Sequence, residues 1–84
     1  MQGLTEGRMC HYVLPEGRHA GEHRAAVVAK VWDATGVVNL QVFTDGENDA
    51  GFSYASRANG VVWVTSAHYS EELLPHTWHW IEKA

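Results

Sequence analysis

The stretch that decides the fold runs from residue 24 to residue 44 and reads RAAVVAKVWDATGVVNLQVFT. Its second half alternates between apolar and polar side chains. The alternating residues are Val38, Leu40 and Val42 on one side and Asn39 and Gln41 on the other. Successive side chains of a β-strand point to opposite faces, so this pattern predicts a strand with one apolar face. The turn composition of residues 33–36 joins it to the preceding apolar run, which predicts a β-hairpin.

Three further segments have the β-branched and aromatic composition of strands. They are residues 9–14, 61–69 and 78–83. Residues 45–60 are rich in Gly, Asn, Asp and Ser, which predicts a long loop. We therefore expect a mainly β fold, a small, strongly bent antiparallel sheet or barrel of four to five strands like the SH3 and OB folds. Exposed sheet edges are often covered by association, so we also expect a homo-oligomer.

The length of 84 residues predicts a single domain. We assign residues 9–84 to one small β domain and residues 1–8, which are polar and contain glycine, to a flexible N-terminal extension. The single cysteine, Cys10, permits no intrachain disulfide, so extra stability would have to come from a metal or from self-association.

The net charge of −4 argues against binding to duplex nucleic acid, which needs a basic face. No apolar run is long enough to span a membrane, and the N-terminus lacks the apolar region of a signal peptide. These features predict a soluble protein of the cytosol with no membrane partner.

The segment GRHAGEHR, residues 17–24, contains the letters H-x-x-E-H, one spelling of a zinc-protease motif. That motif works on a helix, whereas here Gly21 lies in its middle and no amphipathic pattern surrounds it. Six histidines provide ligands for a structural zinc site only if the fold brings three together. They are His11, His19, His23, His68, His76 and His79. Because their spacing does not demand such a site, we predict no metal and no cofactor.

The same segment suits an anion better. Two arginines present planar forks for phosphate or carboxylate, the histidines add donors, and tryptophans can stack on a base. The predicted ligand-binding residues are Arg18, His19, His23, Arg24, Trp78 and Trp80. No nucleophile lies beside a base in a recognisable context, so we predict no catalytic residue and a protein that is not an enzyme.

Three stretches carry a resemblance to a known family: HYVLPEGRHAGEHRAAVVAKVW, VNLQVFTDGENDAG and VVWVTSAHYSEELLPHTWHW. Over residues 11–82 the chain resembles a family of small, uncharacterised bacteriophage and prophage proteins. The resemblance implies a phage protein acting in the host cytoplasm.

The leading hypothesis is a non-enzymatic binding protein that sequesters a nucleotide-like anion such as a host immune signal, as anti-defence sponges do. The alternative is a protein-interaction module that inhibits a host protein or assists virion assembly. In that case the aromatic residues of HTWHW, residues 76–80, would form an exposed patch.

Overall fold

Five strands close into a barrel in the order in which they occur along the chain. The structure, a computed structural model, describes residues 1–53 and 59–82. The strands are β1 (Met9–Val13), β2 (His23–Val31), β3 (Val38–Phe43), β4 (Val61–Tyr69) and β5 (Thr77–His79), and a short 3-10 helix spans Gly46–Asp49. The predicted small, mainly β barrel is confirmed. Within the described ranges no helix has the length and apolar character needed to cross a membrane.

The strand pairs are antiparallel except for β4 with β5, which is parallel. The sequence predicts a purely antiparallel sheet, so the parallel pair is a difference from that expectation. Strand β5 meets only His68 and Tyr69 at the end of β4. Because β5 pairs only with the last two residues of β4, the chain returns over a short distance. Residues 70–76 are therefore long enough to connect the two strands, although parallel strands normally need a longer crossover. The observed last strand, Thr77–His79, is shorter than the predicted one, 78–83. Residue 83 lies outside the described residues.

The core lies inside the barrel and takes one face of every strand. Val38, Leu40 and Val42 of β3 have no exposed surface, which confirms the alternation in the sequence. Trp78 of β5 is also fully buried, and its indole N–H donates to the backbone carbonyl of Gly36 over 2.7 Å. The buried indole N–H therefore has a hydrogen-bond partner.

Asn39 lies on the polar face of β3 but is buried, with only 8% of its surface exposed. Its side chain bonds to the neighbouring strand where the sheet is irregular. Its Oδ1 accepts from the indole of Trp32 at 2.8 Å, from the hydroxyl of Thr65 at 2.9 Å and from the backbone N–H of Ser66 at 2.9 Å. Ser66 has a φ of 55°, and the β3–β4 register shifts here. The amide oxygen therefore compensates for the ladder hydrogen bonds that a bulge disrupts.

Residues 1–8 lie against the barrel, although the sequence predicts a flexible extension. The backbone N–H of Gly7 donates to the carbonyl of Val28 over 2.7 Å, and the amino terminus donates to the carbonyl of Ala34 over 2.9 Å. The guanidinium of Arg8 lies 4.8 Å from the ring centroid of Trp80. Of the predicted loop 45–60, residues 54–58 lie outside the described part of the chain.

Two glycines fix the β1–β2 connection to the segment after the 3-10 helix. Gly17 has a φ of +94°, and a Cβ at this position would lie 2.7 Å from the carbonyl oxygen of Ala50. Opposite it, a Cβ on Gly51 would lie 2.8 Å from the Cα of Gly17. The backbone N–H of Arg18 donates to the carbonyl of Ala50 over 2.9 Å. Only the missing side chains allow this approach.

Gly17→Ala tests this contact, with Gly21→Ala as its matched control. Both glycines have positive φ, but a Cβ on Gly21 meets nothing within 4 Å. The control should lose only about 1 kcal/mol of unfolding free energy, from the backbone conformation. Gly17→Ala should lose about 3 kcal/mol, because the clash with backbone atoms adds to that loss. Urea unfolding measures both, and equal losses would show that the two loops do not touch.

Candidate functional site

Four potential metal ligands, His11, His23, His79 and Glu82, meet on the outer surface of the barrel. The strand register explains the histidines. His11 of β1 pairs directly with His79 of β5, and its partner on β2 is Ala25, two positions from His23. Tyr12 follows His11 and Trp78 precedes His79, and both of these aromatic side chains point into the core. The two histidines therefore point outward.

Glu82 follows β5 and brings its carboxylate back over the three rings. Its Oε1 lies 3.1 Å from Nδ1 of His11 and 2.8 Å from Nδ1 of His23, and it also contacts Nε2 of His79. The four ligand atoms all lie within 4.8 Å of one another. The ligand atoms of a tetrahedral zinc ion are about 3.3 Å apart, given zinc–nitrogen bonds of about 2.0 Å. The widest of these separations would have to shorten by about 1.5 Å to form such a site.

The electrostatics of the cluster favour an ionised carboxylate. Hydrogen bonds from His79 first, then from His11 and His23, lower the pKa of Glu82 to about 2. Glu82 is half exposed, whereas His79 is buried and the other two rings are partly buried. Metal binding requires a deprotonated carboxylate, and this arrangement supplies one.

His79 has one nitrogen without a partner. Its Nδ1 is buried and makes no hydrogen bond within the described residues. A buried polar atom left unpaired costs free energy. The other ring nitrogen, Nε2, is the one that contacts Glu82. The ring is held in position by aromatic contacts, with centroids 4.7 Å from His23 and 5.8 Å from His11.

A second cluster lies around Asp49, at the end of the 3-10 helix. The side chain of Asp49 is completely buried and forms a two-pronged ion pair with Arg24, with distances of 2.8 Å to Nε and 2.7 Å to a terminal nitrogen. Its carboxylate also accepts from the backbone N–H of Asp45 at 2.7 Å and lies 3.4 Å from Nδ1 of His19. The hydrogen bond from Arg24 is the main reason why the pKa of Asp49 falls to about 2.

The structure divides the predicted ligand-binding residues and does not gather them into one site. His23 joins the outer histidine cluster, whereas its neighbour Arg24, with His19, belongs to the Asp49 cluster. Since the charge of Arg24 is already neutralised by a buried carboxylate, this arginine is not free to bind an anion. Arg18 is exposed, and its backbone N–H donates to the carbonyl of Ala50.

The tryptophans are also committed to the barrel. Trp78 is fully buried, so it has no face on which a base could stack. Trp80 packs against the core, with its ring 4.9 Å from that of Trp78 and beneath the guanidinium of Arg8. The idea that HTWHW forms an exposed patch is wrong for its central residues, because Thr77, Trp78 and His79 are all buried as β5.

Sequence reasoning missed both carboxylates that organise these clusters, Glu82 and Asp49. The H-x-x-E-H letters lie at residues 19–23, but the histidine and glutamate that meet are His79 and Glu82, which have the His–Glu spacing of that motif in the segment HWIE. That short pattern is the signal available in the sequence. Which other histidines join it depends on strand register.

Comparison with known proteins gives no match: no family model, no curated protein and no solved structure is significantly similar to this chain.

Asp49→Asn tests the buried ion pair. At pH 7 the variant should lose about 3 kcal/mol of unfolding free energy, because Arg24 keeps its charge but loses its main partner. The wild type gains stability from Asp49 that is fully present above its ordinary pKa of 3.8 and disappears as the pH falls towards about 2. Urea unfolding between pH 6 and pH 2 should therefore show a smaller difference between the two proteins at low pH.

Glu47→Gln is the control for that measurement, since Glu47 is an exposed acid in the same 3-10 helix. Its unfolding free energy should match the wild type within about 0.5 kcal/mol, as for most surface substitutions. A constant difference between Asp49→Asn and wild type at every pH would contradict the assignment to the ionised carboxylate.

Proposed function

We propose that this protein is a non-enzymatic metal-binding barrel, and that it holds one divalent transition-metal ion between His11, His23, His79 and Glu82. The observation that carries the proposal is the convergence of three imidazoles from three strands on one carboxylate oxygen, within a span of 4.8 Å. Exposed acidic groups often cluster without an ion, but three partly or fully buried imidazoles directed at one point are a different arrangement.

The donor set indicates the class of metal. Imidazole suits zinc, copper, nickel and iron, whereas calcium and magnesium take oxygen ligands almost exclusively. Three nitrogens and one carboxylate oxygen complete a tetrahedral shell. We therefore propose zinc as the first candidate among these ions.

A closed shell supports binding and structural stabilisation over catalysis. Structural zinc sites have four protein ligands, whereas catalytic sites keep one position open for water or substrate. In this barrel the ion would join β1, β2 and β5 to the segment that follows β5. A chain of 84 residues with one buried cysteine has no intrachain disulfide for this purpose, so a metal would supply the missing constraint.

This proposal departs from the sequence-based expectation of no metal, because strand register brings together histidines that lie up to 68 positions apart. We do not propose the nucleotide-like anion on the six residues named from the sequence, since Arg24 is neutralised and Trp78 is enclosed. Membership of a phage family, action in the host cytoplasm and homo-oligomerisation stay predictions.

The test is zinc titration of protein first stripped with a chelator. Calorimetry should give one ion per chain, and thermal unfolding should shift with it. At free zinc about 100-fold above Kd, binding adds about 2.7 kcal/mol to stability. For a domain of this size that raises Tm by roughly 10–20 °C. Cobalt(II) in place of zinc should report the coordination geometry through its visible absorption.

His23→Ala and His68→Ala form the matched pair for this titration. His68 is exposed and lies outside the cluster, so its removal should leave zinc affinity unchanged. Removing the ligand His23 should weaken zinc by more than the roughly 10- to 100-fold lost when a ligand's supporting partner is removed. Equal affinity in both variants, or no zinc uptake by the wild type, would leave the cluster as a metal-free hydrogen-bond network and overturn the proposal.

A further inference from the structure

Two exposed tryptophans lie on the outside of the sheet formed by β2, β3 and β4. Trp63 of β4 stands between the buried Val62 and Val64, so its side chain points out of the barrel. Trp63 is 58% exposed, and Trp32, the residue after β2, is 52% exposed. Tryptophan is buried over most of its surface in ordinary proteins, so two exposed rings on one side of a sheet indicate a binding surface.

Asn39 connects Trp32 to the same side of the sheet. The indole N–H of Trp32 donates to Oδ1 of Asn39 over 2.8 Å, and the hydroxyl of Thr65 on β4 donates to that oxygen over 2.9 Å. The ammonium of Lys30 lies 3.8 Å from the centroid of the Trp32 ring. The ring is therefore held in one orientation although half of the residue is exposed. A ring that is already fixed loses little conformational entropy when a ligand stacks on it.

The side chain of Gln41 lies between the two tryptophans. Gln41 is directly opposite Trp63 in the β3–β4 register, and Asn39 is the next outward residue on its own strand. Side chains that pair in this way have Cβ atoms about 5 Å apart. The amide of Gln41 makes no hydrogen bond within the described residues. It therefore offers a donor and an acceptor beside an exposed aromatic ring.

The outward side chains of β3 and β4 are uncharged, and they include both aromatic and polar groups. Together with Trp32 they form what we call the outer face: Trp32, Asn39, Gln41, Phe43, Val61, Trp63 and Thr65. A ligand for this face needs apolar surfaces for the rings and hydroxyl groups for the amide. A sugar ring has both, because its C–H bonds point to its two faces and its hydroxyl groups lie around its edge.

A single-stranded nucleic acid also stacks on aromatic rings, and small barrels of the OB type bind both oligonucleotides and oligosaccharides on a sheet face. A nucleic acid, however, needs cations for its phosphates. The protein has a net charge of −4, and Lys30, the basic residue beside the outer face, already lies over the ring of Trp32. The outer face therefore suits a neutral carbohydrate better than a nucleic acid.

From this geometry we propose that the outer face binds a neutral oligosaccharide, an extended β-1,4-linked glucan, with sugar rings on Trp63 and Trp32 and a hydroxyl bonded to Gln41. Because the two tryptophans lie on an open surface, several sugar units have to share the contact. A chain with equatorial linkages is straight enough to reach both rings. The inference is independent of the metal site, because no residue of the outer face is among the four proposed ligands.

Cellohexaose and maltohexaose provide the test, used on the full chain in a fixed metal state. Both are neutral chains of six glucose units, but the β-linked cellohexaose is extended and the α-linked maltohexaose is curled. Calorimetry and tryptophan fluorescence should detect cellohexaose with a Kd below about 1 mM. Maltohexaose should bind at least about fivefold more weakly, because a curled chain does not reach both rings. No binding of cellohexaose, equal binding of the two sugars, or tighter binding of a thymidine hexanucleotide would overturn the proposal.

Trp63→Ala and Gln41→Leu locate the binding. Trp63→Ala should weaken cellohexaose about fivefold or more, as expected for an aromatic anchor. Gln41→Leu keeps the size of the side chain and should weaken it about two- to tenfold through lost hydrogen bonds. Leu74→Ala removes an equally exposed apolar side chain in the β4–β5 connection and should leave the Kd unchanged.

Far-ultraviolet circular dichroism and urea unfolding of each variant check that the barrel is intact. A loss of affinity in Leu74→Ala equal to that in Trp63→Ala would show that the sugar does not recognise the outer face.

Discussion

The burial of Trp78 inside the barrel is the interaction on which both the fold and the histidine cluster depend. Strand β5 is only three residues long, so this one large side chain and its hydrogen bond to Gly36 hold the strand between β1 and β4. Since adjacent side chains of a strand point to opposite faces, placing Trp78 inward directs His79 outward, beside His11. The same burial thus closes the core and creates the surface on which we propose the metal.

Two neighbouring residues on β2 have different roles, because their side chains also point to opposite sides of the strand. His23 points outward to the histidine cluster, and Arg24 reaches the buried carboxylate of Asp49. In the sequence these two residues suggest one basic, anion-binding segment. In the barrel they lie in separate environments, one near the surface and one where a charge is stable only with its partner. This charged segment therefore contributes to structure through Arg24 and supplies one ligand, His23, to the proposed metal site.

The short β5 has one further consequence for the barrel wall. Where β5 pairs with β1, it supplies the third histidine, and the part of β4 before His68 has no pairing to β5 within the described residues.

The sequence by itself determined the strands and the apolar interior. The alternation at Val38, Leu40 and Val42 and the turn at residues 33–36 are local properties, so they predicted the β2–β3 hairpin and a small mainly β barrel correctly. The parallel β4–β5 pair and the meeting of His11, His23, His79 and Glu82 were decided only by the tertiary structure. Barrel closure and strand register join residues that are far apart in the chain, and no local pattern records which of six histidines will share a face.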